Sequence, residues 1–199
     1  MTEKPAFAVF ASGSGSNLQR FIDETHLGSF PATLALVVSD RPECYAVTRA
    51  QQAHIPVLAL TPKAYPDKAA YEQVILRELR ARQVRWIVLA GYMRLIGPTL
   101  LEPYRGRIVN IHPALLPAFP GKDAIGQALR AGVAATGVTV HFVDEGVDTG
   151  PPIAQMRVPI LPADSAETLA GRIHASEHRL YPTVVADLIR YSEVVLQQA

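Results

Sequence analysis

Short apolar runs and helical patterns alternate along the first half of the chain. Residues 7–11, 33–39 and 86–90 are almost continuously apolar, which is typical of strands buried on both faces of a sheet. Between these runs, apolar residues recur three or four positions apart, most clearly in the stretch 71–79 that follows Asp67, a candidate helix N-cap. This order predicts an α/β fold with a doubly wound, mostly parallel sheet and helices on both faces.

The C-terminal part of the chain has a different pattern. Nine of the 32 residues from 91 to 122 are Gly or Pro, against 29 of 199 in the whole chain, and long irregular loops usually carry function. Residues 137–143 and 154–160 then predict a hairpin-like pair, which adds an antiparallel strand. A final helix is predicted to about residue 191, with an interruption or a bend at Pro182.

Composition and charge narrow the class of protein. The chain has 199 residues, of which 49% are apolar and 19% charged, so we expect a single domain over residues 1–199. Nineteen Lys and Arg against 18 Asp and Glu give a net charge of +1, which argues against nucleic-acid binding by bulk electrostatics. The one cysteine, Cys44, excludes an internal disulfide, and no apolar run is long enough to span a membrane. We therefore expect a cytoplasmic protein.

A glycine-rich segment, SGSGSN at 12–17, lies between the first strand and a predicted helix. Its backbone amides at 15–17 would point out of a helix N-terminus and suit a single phosphate group. A dinucleotide site is a second interpretation, because Asp40 ends the next strand, where an acidic residue would bind a ribose. However, the dinucleotide-binding fingerprint needs a third glycine, and this chain has Leu18 at that position. A plain serine-rich turn is a third, and the segment alone leaves all three open.

Two polar residues, Asn110 and His112, end a later apolar strand, at the edge where α/β proteins bind ligands. Residues i and i+2 of an extended segment point the same way, so both side chains would face one pocket. An asparagine amide can donate to a developing oxyanion, and a histidine can move a proton near neutral pH. The alternative is a histidine with structural hydrogen bonds. His141 alternates with Val140 and Phe142 within a strand, which favours a structural or supporting role.

Three carboxylates, Asp144, Glu145 and Asp148, share one loop after the strand that contains His141. Acidic loop residues are usually solvated, and their spacing lacks the EF-hand pattern of a calcium site. A carboxylate close to His112 would favour the protonated imidazole. Spacing alone does not decide which of the three is close. The sequence has no metal-ligand spacing, so we expect no metal.

Taken together, several segments resemble the phosphoribosylglycinamide formyltransferases. These segments are SGSGSNL at 12–18, GYMR at 91–94, NIHPALLP at 110–117, and GVTVHFVD at 137–144 followed by DTGP at 148–151. The resemblance extends from about residue 6 to residue 191. It implies a formyltransferase fold and transfer of the formyl group of 10-formyltetrahydrofolate to the amine of 5'-phosphoribosylglycinamide, in purine biosynthesis. The segment GKDAI at 121–125 departs from the family pattern, at residues that are expected to affect how the sugar phosphate is held.

The resemblance also implies roles for individual residues. The catalytic residues would be Asn110, His112 and Asp148. Phosphoribosylglycinamide would be bound by Gly15, Ser16, Asn17 and Glu177. The folate would be bound by Lys68, Met93, Arg94, Leu95, Ile96, Asn110, Asp144, Glu145, Gly146, Val147 and Asp148. On this basis residues 1–100 form a phosphate-binding half, residues 101–199 a folate-binding and catalytic half, and the enzyme acts on small molecules as a monomer or homodimer.

Two other functions fit parts of the sequence. A 10-formyltetrahydrofolate hydrolase would use water in place of the amine and would release formate without any acceptor. A non-enzymatic nucleotide-binding module would bind a nicotinamide cofactor through Gly13, Gly15 and Asp40, and would not need Asn110 or His112. The phosphate cradle favours the transferase, because it suits a phosphorylated acceptor.

Overall fold

The protein is built on a single mixed sheet. A computed structural model describes residues 4–197, and over this range seven strands pair in the order β3-β2-β1-β4-β5-β6-β7. The strands are β1 (Ala6–Phe10), β2 (Thr33–Ser39), β3 (Val57–Ala59), β4 (Val84–Leu89), β5 (Ile108–His112), β6 (Ala135–Phe142) and β7 (Pro152–Pro159).

The directions of the strands confirm the predicted α/β class. Strands β1 to β5 are parallel, β6 runs antiparallel to β5, and β7 runs antiparallel to β6. The predicted hairpin-like pair is therefore β6 and β7. The register sets Asn110 opposite His141 and His112 opposite Thr139.

Helices cover both faces of the sheet. Over the described residues they are α1 (Ser16–His26), α2 (Tyr45–Gln52), α3 (Lys68–Ala81), α4 (Pro98–Leu101), α5 (Ala124–Arg130) and α6 (Ala166–Gln197), with a 3-10 turn at Pro62–Ala64. Helix α3 begins where the sequence predicts, because the Asp67 carboxylate accepts a hydrogen bond from the Ala70 amide at 2.7 Å.

The alternation along β1 divides the core into two parts. Phe7 and Val9 pack with α1, α2 and α6, whereas Ala8 and Phe10 pack with α3 and α4. All four side chains are fully buried. A strand with both faces buried loses the polar alternation of a surface strand, which is why residues 7–11 are continuously apolar.

The last helix is longer than predicted and is not interrupted at Pro182. Helix α6 runs from Ala166 to Gln197 without a break, although it contains Pro182. Packing explains this difference, because Tyr181 and Val185, on either side of the proline, are fully buried against the sheet. The Tyr181 hydroxyl also donates to the carbonyl oxygens of Leu89 (2.9 Å) and Val109 (3.0 Å), which ties the helix to β4 and β5.

Candidate active site

A cavity of about 830 Å³ lies at the carboxyl ends of β1, β4 and β5. The strand order changes direction between β1 and β4, and ligands of open α/β sheets bind at such switch points. The lining comes from residues 13–17, 89–96, 110–113, 121–125, part of 141–148, and His174 and Glu177 of α6.

One end of the cavity is the N-terminus of α1. Gly15 precedes the helix with φ +69°, and a Cβ atom at this position would lie 2.8 Å from Cα of Ala46, so only glycine fits. The first amides of a helix have no intrahelical partner and attract an anion. Arg49 supports the turn by donating from Nε to the Ser14 carbonyl at 2.8 Å. The geometry is therefore that of a phosphate cradle.

The same geometry argues against a dinucleotide site. The Ser12 hydroxyl donates to the Asp40 carboxylate and accepts from the Met93 amide at 2.9 Å. Asp40 is thus engaged by the turn itself and is not part of the cavity lining. Leu18 is fully buried in the core at the place where the fingerprint needs a glycine.

Helix α6 completes this end of the cavity. The Glu177 carboxylate accepts from Nδ2 of Asn17 at 2.8 Å, although the two residues are 160 positions apart. Glu177 is only 5% exposed, and burial raises its pKa, opposed by the Asn17 hydrogen bond and the charge of His174. Oδ1 of Asn17 is buried and has no hydrogen-bond partner among the described residues. A buried polar pair with one unused acceptor is suited to the hydroxyl groups of a sugar.

The middle of the cavity brings together Asn110, His112 and Asp148. Nδ1 of His112 lies 3.2 Å from Oδ2 of Asp148, and its Nε2 lies 2.8 Å from the Phe119 carbonyl oxygen. Nδ2 of Asn110 lies 3.5 Å from Oδ1 of Asp148. The Gly121 amide donates to Oδ2 of Asp148 at 2.8 Å, which fixes the carboxylate. Of the three loop carboxylates, the structure therefore selects Asp148 as the partner of His112.

Both ring nitrogens of His112 face hydrogen-bond acceptors, the Asp148 carboxylate and the Phe119 carbonyl oxygen. Each nitrogen can donate to its partner when it carries a proton. Burial alone would raise the pKa of Asp148. Hydrogen bonds from His141 and Gly121 and the nearby imidazoles outweigh it, so the pKa of Asp148 falls below its ordinary value.

His141 is closer to the chemistry than its place within a strand suggested. Its Nε2 lies 3.1 Å from Nδ2 of Asn110 and 3.5 Å from Oδ1 of Asp148, and its Nδ1 donates to the Phe142 carbonyl at 2.8 Å. The ring is only 2% exposed. The expected supporting role therefore has a specific place, because the His141 ring contacts both Asn110 and Asp148. Its pairing with Asn110 across β5 and β6 is the signal, and it requires the strand register.

The other end of the cavity is apolar and open. Met93 (63% exposed), Leu95 (57%) and Val147 (47%) present large apolar side chains at its wall, and Ile96 is buried behind them. Asp144 and Gly146 also line this end. Such a surface suits the ring system of a folate.

Two predicted folate residues lie outside the main cavity. Glu145 is exposed and pairs with Arg105 at 3.3 Å instead of facing the cavity. Lys68 lines a smaller neighbouring cavity of about 220 Å³ together with Arg94, which belongs to both cavities. The prediction for Lys68 is compatible with a ligand that extends past Arg94, whereas Glu145 has no contact with the cavity.

Within residues 4–197, no group of three or more His, Cys, Asp or Glu side chains is arranged to hold a metal ion. None of the helices in the same range is both long enough and apolar enough to cross a membrane.

Comparisons with known proteins agree with this geometry. A family described as formyl transferase matches residues 6–185. Phosphoribosylglycinamide formyltransferase of Bacillus subtilis is 54% identical over 183 residues, which are 92% of this chain and 94% of the relative. The crystal structure of glycinamide ribonucleotide transformylase 1 from Geobacillus kaustophilus is 60% identical, with a TM-score of 0.91 over 94% of this chain and 100% of that one.

A more distant relative has the same fold. Glycinamide ribonucleotide transformylase 1 from Symbiobacterium toebii is 44% identical, with a TM-score of 0.92 over 96% of this chain and 90% of that one. The chain therefore belongs to the formyl transferase family and, within it, to the phosphoribosylglycinamide formyltransferases.

Proposed function

We propose that the protein transfers the formyl group of 10-formyltetrahydrofolate to the amine of 5'-phosphoribosylglycinamide. The products are 5'-phosphoribosyl-N-formylglycinamide and tetrahydrofolate, a step of purine biosynthesis. The observation that carries this proposal is the single cavity with a phosphate cradle at one end, an apolar wall at the other, and Asn110, His112 and Asp148 between them.

The acceptor is held at the α1 end. Its phosphate binds the amides of Gly15, Ser16 and Asn17, where the helix terminus favours an anion. Its sugar hydroxyls reach Glu177, whose carboxylate is held by Asn17. This placement directs the glycinamide amine toward Asn110 and His112.

The reaction begins when the amine attacks the formyl carbon and forms a tetrahedral oxyanion. His112, protonated and paired with Asp148, donates to this oxygen from Nε2, and the oxyanion displaces the weaker Phe119 carbonyl acceptor. Asn110 donates a second hydrogen bond. Its 3.5 Å contact with Asp148 is at the long limit of hydrogen bonding and is easily exchanged.

Collapse of the intermediate completes the transfer. The bond between the formyl carbon and N10 of the folate breaks, the attacking nitrogen loses a proton, and N10 gains one. Asp148 keeps His112 positively charged and assists this proton movement, through water where the nitrogens are out of direct reach. The donor rests against Met93, Arg94, Leu95 and Ile96 and against the 144–148 segment.

Formyl transfer followed by absorbance, with a dideaza analogue of the donor, tests this function. We expect a signal only when phosphoribosylglycinamide is present, and its loss in His112→Ala. A signal without the acceptor, accompanied by released formate, would instead identify a hydrolase. Folded protein that is inactive under both conditions would contradict the proposed transfer.

We further propose that the protein is cytoplasmic, acts on small molecules without nucleic acid, and is a monomer or homodimer. The near-zero net charge supports the absence of nucleic-acid binding. Sedimentation equilibrium over a hundredfold range of concentration tests the assembly state, and a species larger than a dimer would contradict it.

A further inference from the structure

Glu72 is a buried carboxylate that the mechanism above does not use. It lies on α3 and is only 3% exposed, whereas glutamates are almost never fully buried unless they are paired. Its Oε1 accepts from the Gly97 amide at 2.6 Å and lies 3.8 Å from Nζ of Lys68. Its Oε2 is buried and has no partner among the described residues. The strongest contact of this carboxylate is therefore with the backbone that follows the folate-binding residues.

That backbone belongs to segment 92–97, which forms much of the donor wall. Helix α3 holds the segment at both ends. At its start, the Tyr92 hydroxyl lies 2.8 Å from the hydroxyl of Tyr71, and at its end the Gly97 amide donates to Glu72. Between these points the Arg94 guanidinium lies 5.6 Å from the centre of the Tyr71 ring. Two adjacent residues of one helix thus anchor the exposed segment that carries Met93 and Leu95.

The Gly97 backbone packs closely against side chains of α3. A Cβ atom at this glycine would lie 2.6 Å from Oε2 of Glu72 and 2.9 Å from Cε of Lys68. The backbone therefore packs directly against the carboxylate. A buried hydrogen bond from a backbone amide to a carboxylate is stronger than an ordinary hydrogen bond, so it can hold a loop in place.

We propose that Glu72 is a positioning residue that sets the affinity for the formyl donor, because it fixes Gly97 and with it the wall formed by residues 93–96. This inference rests on the proposed function only in identifying the ligand of that wall. Glu72 acts through the Gly97 amide, and the charge it presents to Lys68 is secondary, since 3.8 Å is a long separation for an ion pair with a partly exposed lysine.

Two substitutions at Glu72 separate the hydrogen bond from the charge. Glu72→Ala removes both, and we expect the KM for the donor to rise about tenfold while kcat and the KM for phosphoribosylglycinamide stay within about twofold. Glu72→Gln keeps an oxygen that can accept from Gly97, so it should recover most of the donor affinity. The matched control is Glu78→Gln on the same helix, at an exposed pair with Arg82, which should leave all three constants unchanged.

A double-mutant cycle with Lys68→Met tests the route. If Glu72 acts through Gly97, its effect on donor KM persists when Lys68 is replaced, and the two effects multiply. If Glu72→Ala has no effect in the Lys68→Met background, Glu72 acts only through Lys68 and the proposal is wrong. Equal losses in kcat or in acceptor KM would also overturn it.

Direct binding separates this proposal from the proposed function. Calorimetric titration with a dideaza donor analogue measures affinity without turnover, and we expect about tenfold weaker binding to Glu72→Ala, with Glu72→Gln close to wild type. Unchanged binding would overturn the proposal even if formyl transfer is confirmed. Tyr71→Phe, which releases the other end of the segment, should weaken binding two- to threefold and offers a second test if Glu72→Ala does not fold.

Discussion

The two ends of the cavity recognise their ligands by different means. The α1 end uses backbone amides, with Asn17 (8% exposed) and Glu177 (5%) buried beside them. The donor end presents Met93 and Val147, which are 63% and 47% exposed. A phosphate has a fixed shape and charge, so a rigid cradle of main-chain donors suits it. A flat ring system is bound by covering apolar surface, which the free protein leaves open.

The largest effect is expected on turnover, at the proposed catalytic residues that lie between the two ends of the cavity. Asp148→Asn should lower kcat at least about 100-fold, because the variant loses the carboxylate that pairs with His112, while the KM for phosphoribosylglycinamide changes little. Steady-state kinetics at saturating substrates measure this effect. Asp187→Asn, at an exposed pair with Arg190, is the matched control, and near-wild-type turnover in folded Asp148→Asn would remove the proposed role of Asp148.

The pH dependence of the free energy of unfolding tests whether the Asp148 carboxylate stabilises the fold. Since the pKa of Asp148 is lowered in the folded protein, its carboxylate stabilises the fold above its unfolded pKa of about 3.9, and this contribution disappears as the pH falls through the folded pKa. The difference in free energy of unfolding between wild type and Asp148→Asn should therefore decrease as the pH falls from about 5 to about 3. Denaturant titrations at several pH values measure it. A difference that stays constant over this acidic range would contradict the assignment.

The α1 end of the cavity should not tolerate a side chain at Gly15. Gly15→Ala forces a side chain into φ +69° and against Ala46, so we expect a loss of about 1–2 kcal/mol in stability and at least tenfold weaker binding of the acceptor. Gly13→Ala is the control for stability, because no atom lies within 4 Å of its added Cβ and its φ is not positive. Equal melting temperatures for the two variants would show that the turn is not rigid.

Glu177 tests whether α6 belongs to the acceptor end. Glu177→Ala should raise the KM for phosphoribosylglycinamide about tenfold and leave the KM for the donor unchanged, because it removes the partner of Asn17 and an acceptor for the sugar. Glu167→Gln, in the exposed first turn of the same helix, serves as the control. Retained acceptor affinity in Glu177→Ala would exclude Glu177 from the site.

The smallest effect is expected at the open end. Met93→Ala should raise the KM for the donor only about threefold, because the side chain is covered on one side and contributes in proportion to the area it buries. Leu161→Ala is the control, since it is similarly exposed (50%) and does not line the cavity. A tenfold effect at Met93 would mean that the donor wall is as selective as the phosphate cradle.

Local pattern was sufficient to predict most of the sheet and the catalytic edge. The strands β1, β2 and β4 are apolar on both faces, and the turn at Gly15 and the pair Asn110 and His112 follow strands directly, so neighbours in sequence define them. Residue roles came from the resemblance, and they remain predictions. The division into two halves and the single domain also remain predictions, although the proposed acceptor residues at the cavity come from both halves.

Long-range packing accounts for what the sequence did not predict. The contact between Asn17 and Glu177 spans 160 positions and depends on how α6 docks. The same docking carries the helix through Pro182, against the local preference of proline. The register of β5 and β6 places His141 beside Asn110. Glu145 pairs with Arg105, and the spacing of charges along the sequence does not predict this pair.

Helix α6 joins the sheet to the proposed acceptor site. The Tyr181 hydroxyl donates to carbonyl oxygens of β4 and β5, and Glu177, one turn earlier, accepts from Asn17 at the start of α1. A substitution that loosens Tyr181 from these strands should therefore also weaken binding of the acceptor, although Tyr181 does not line the cavity.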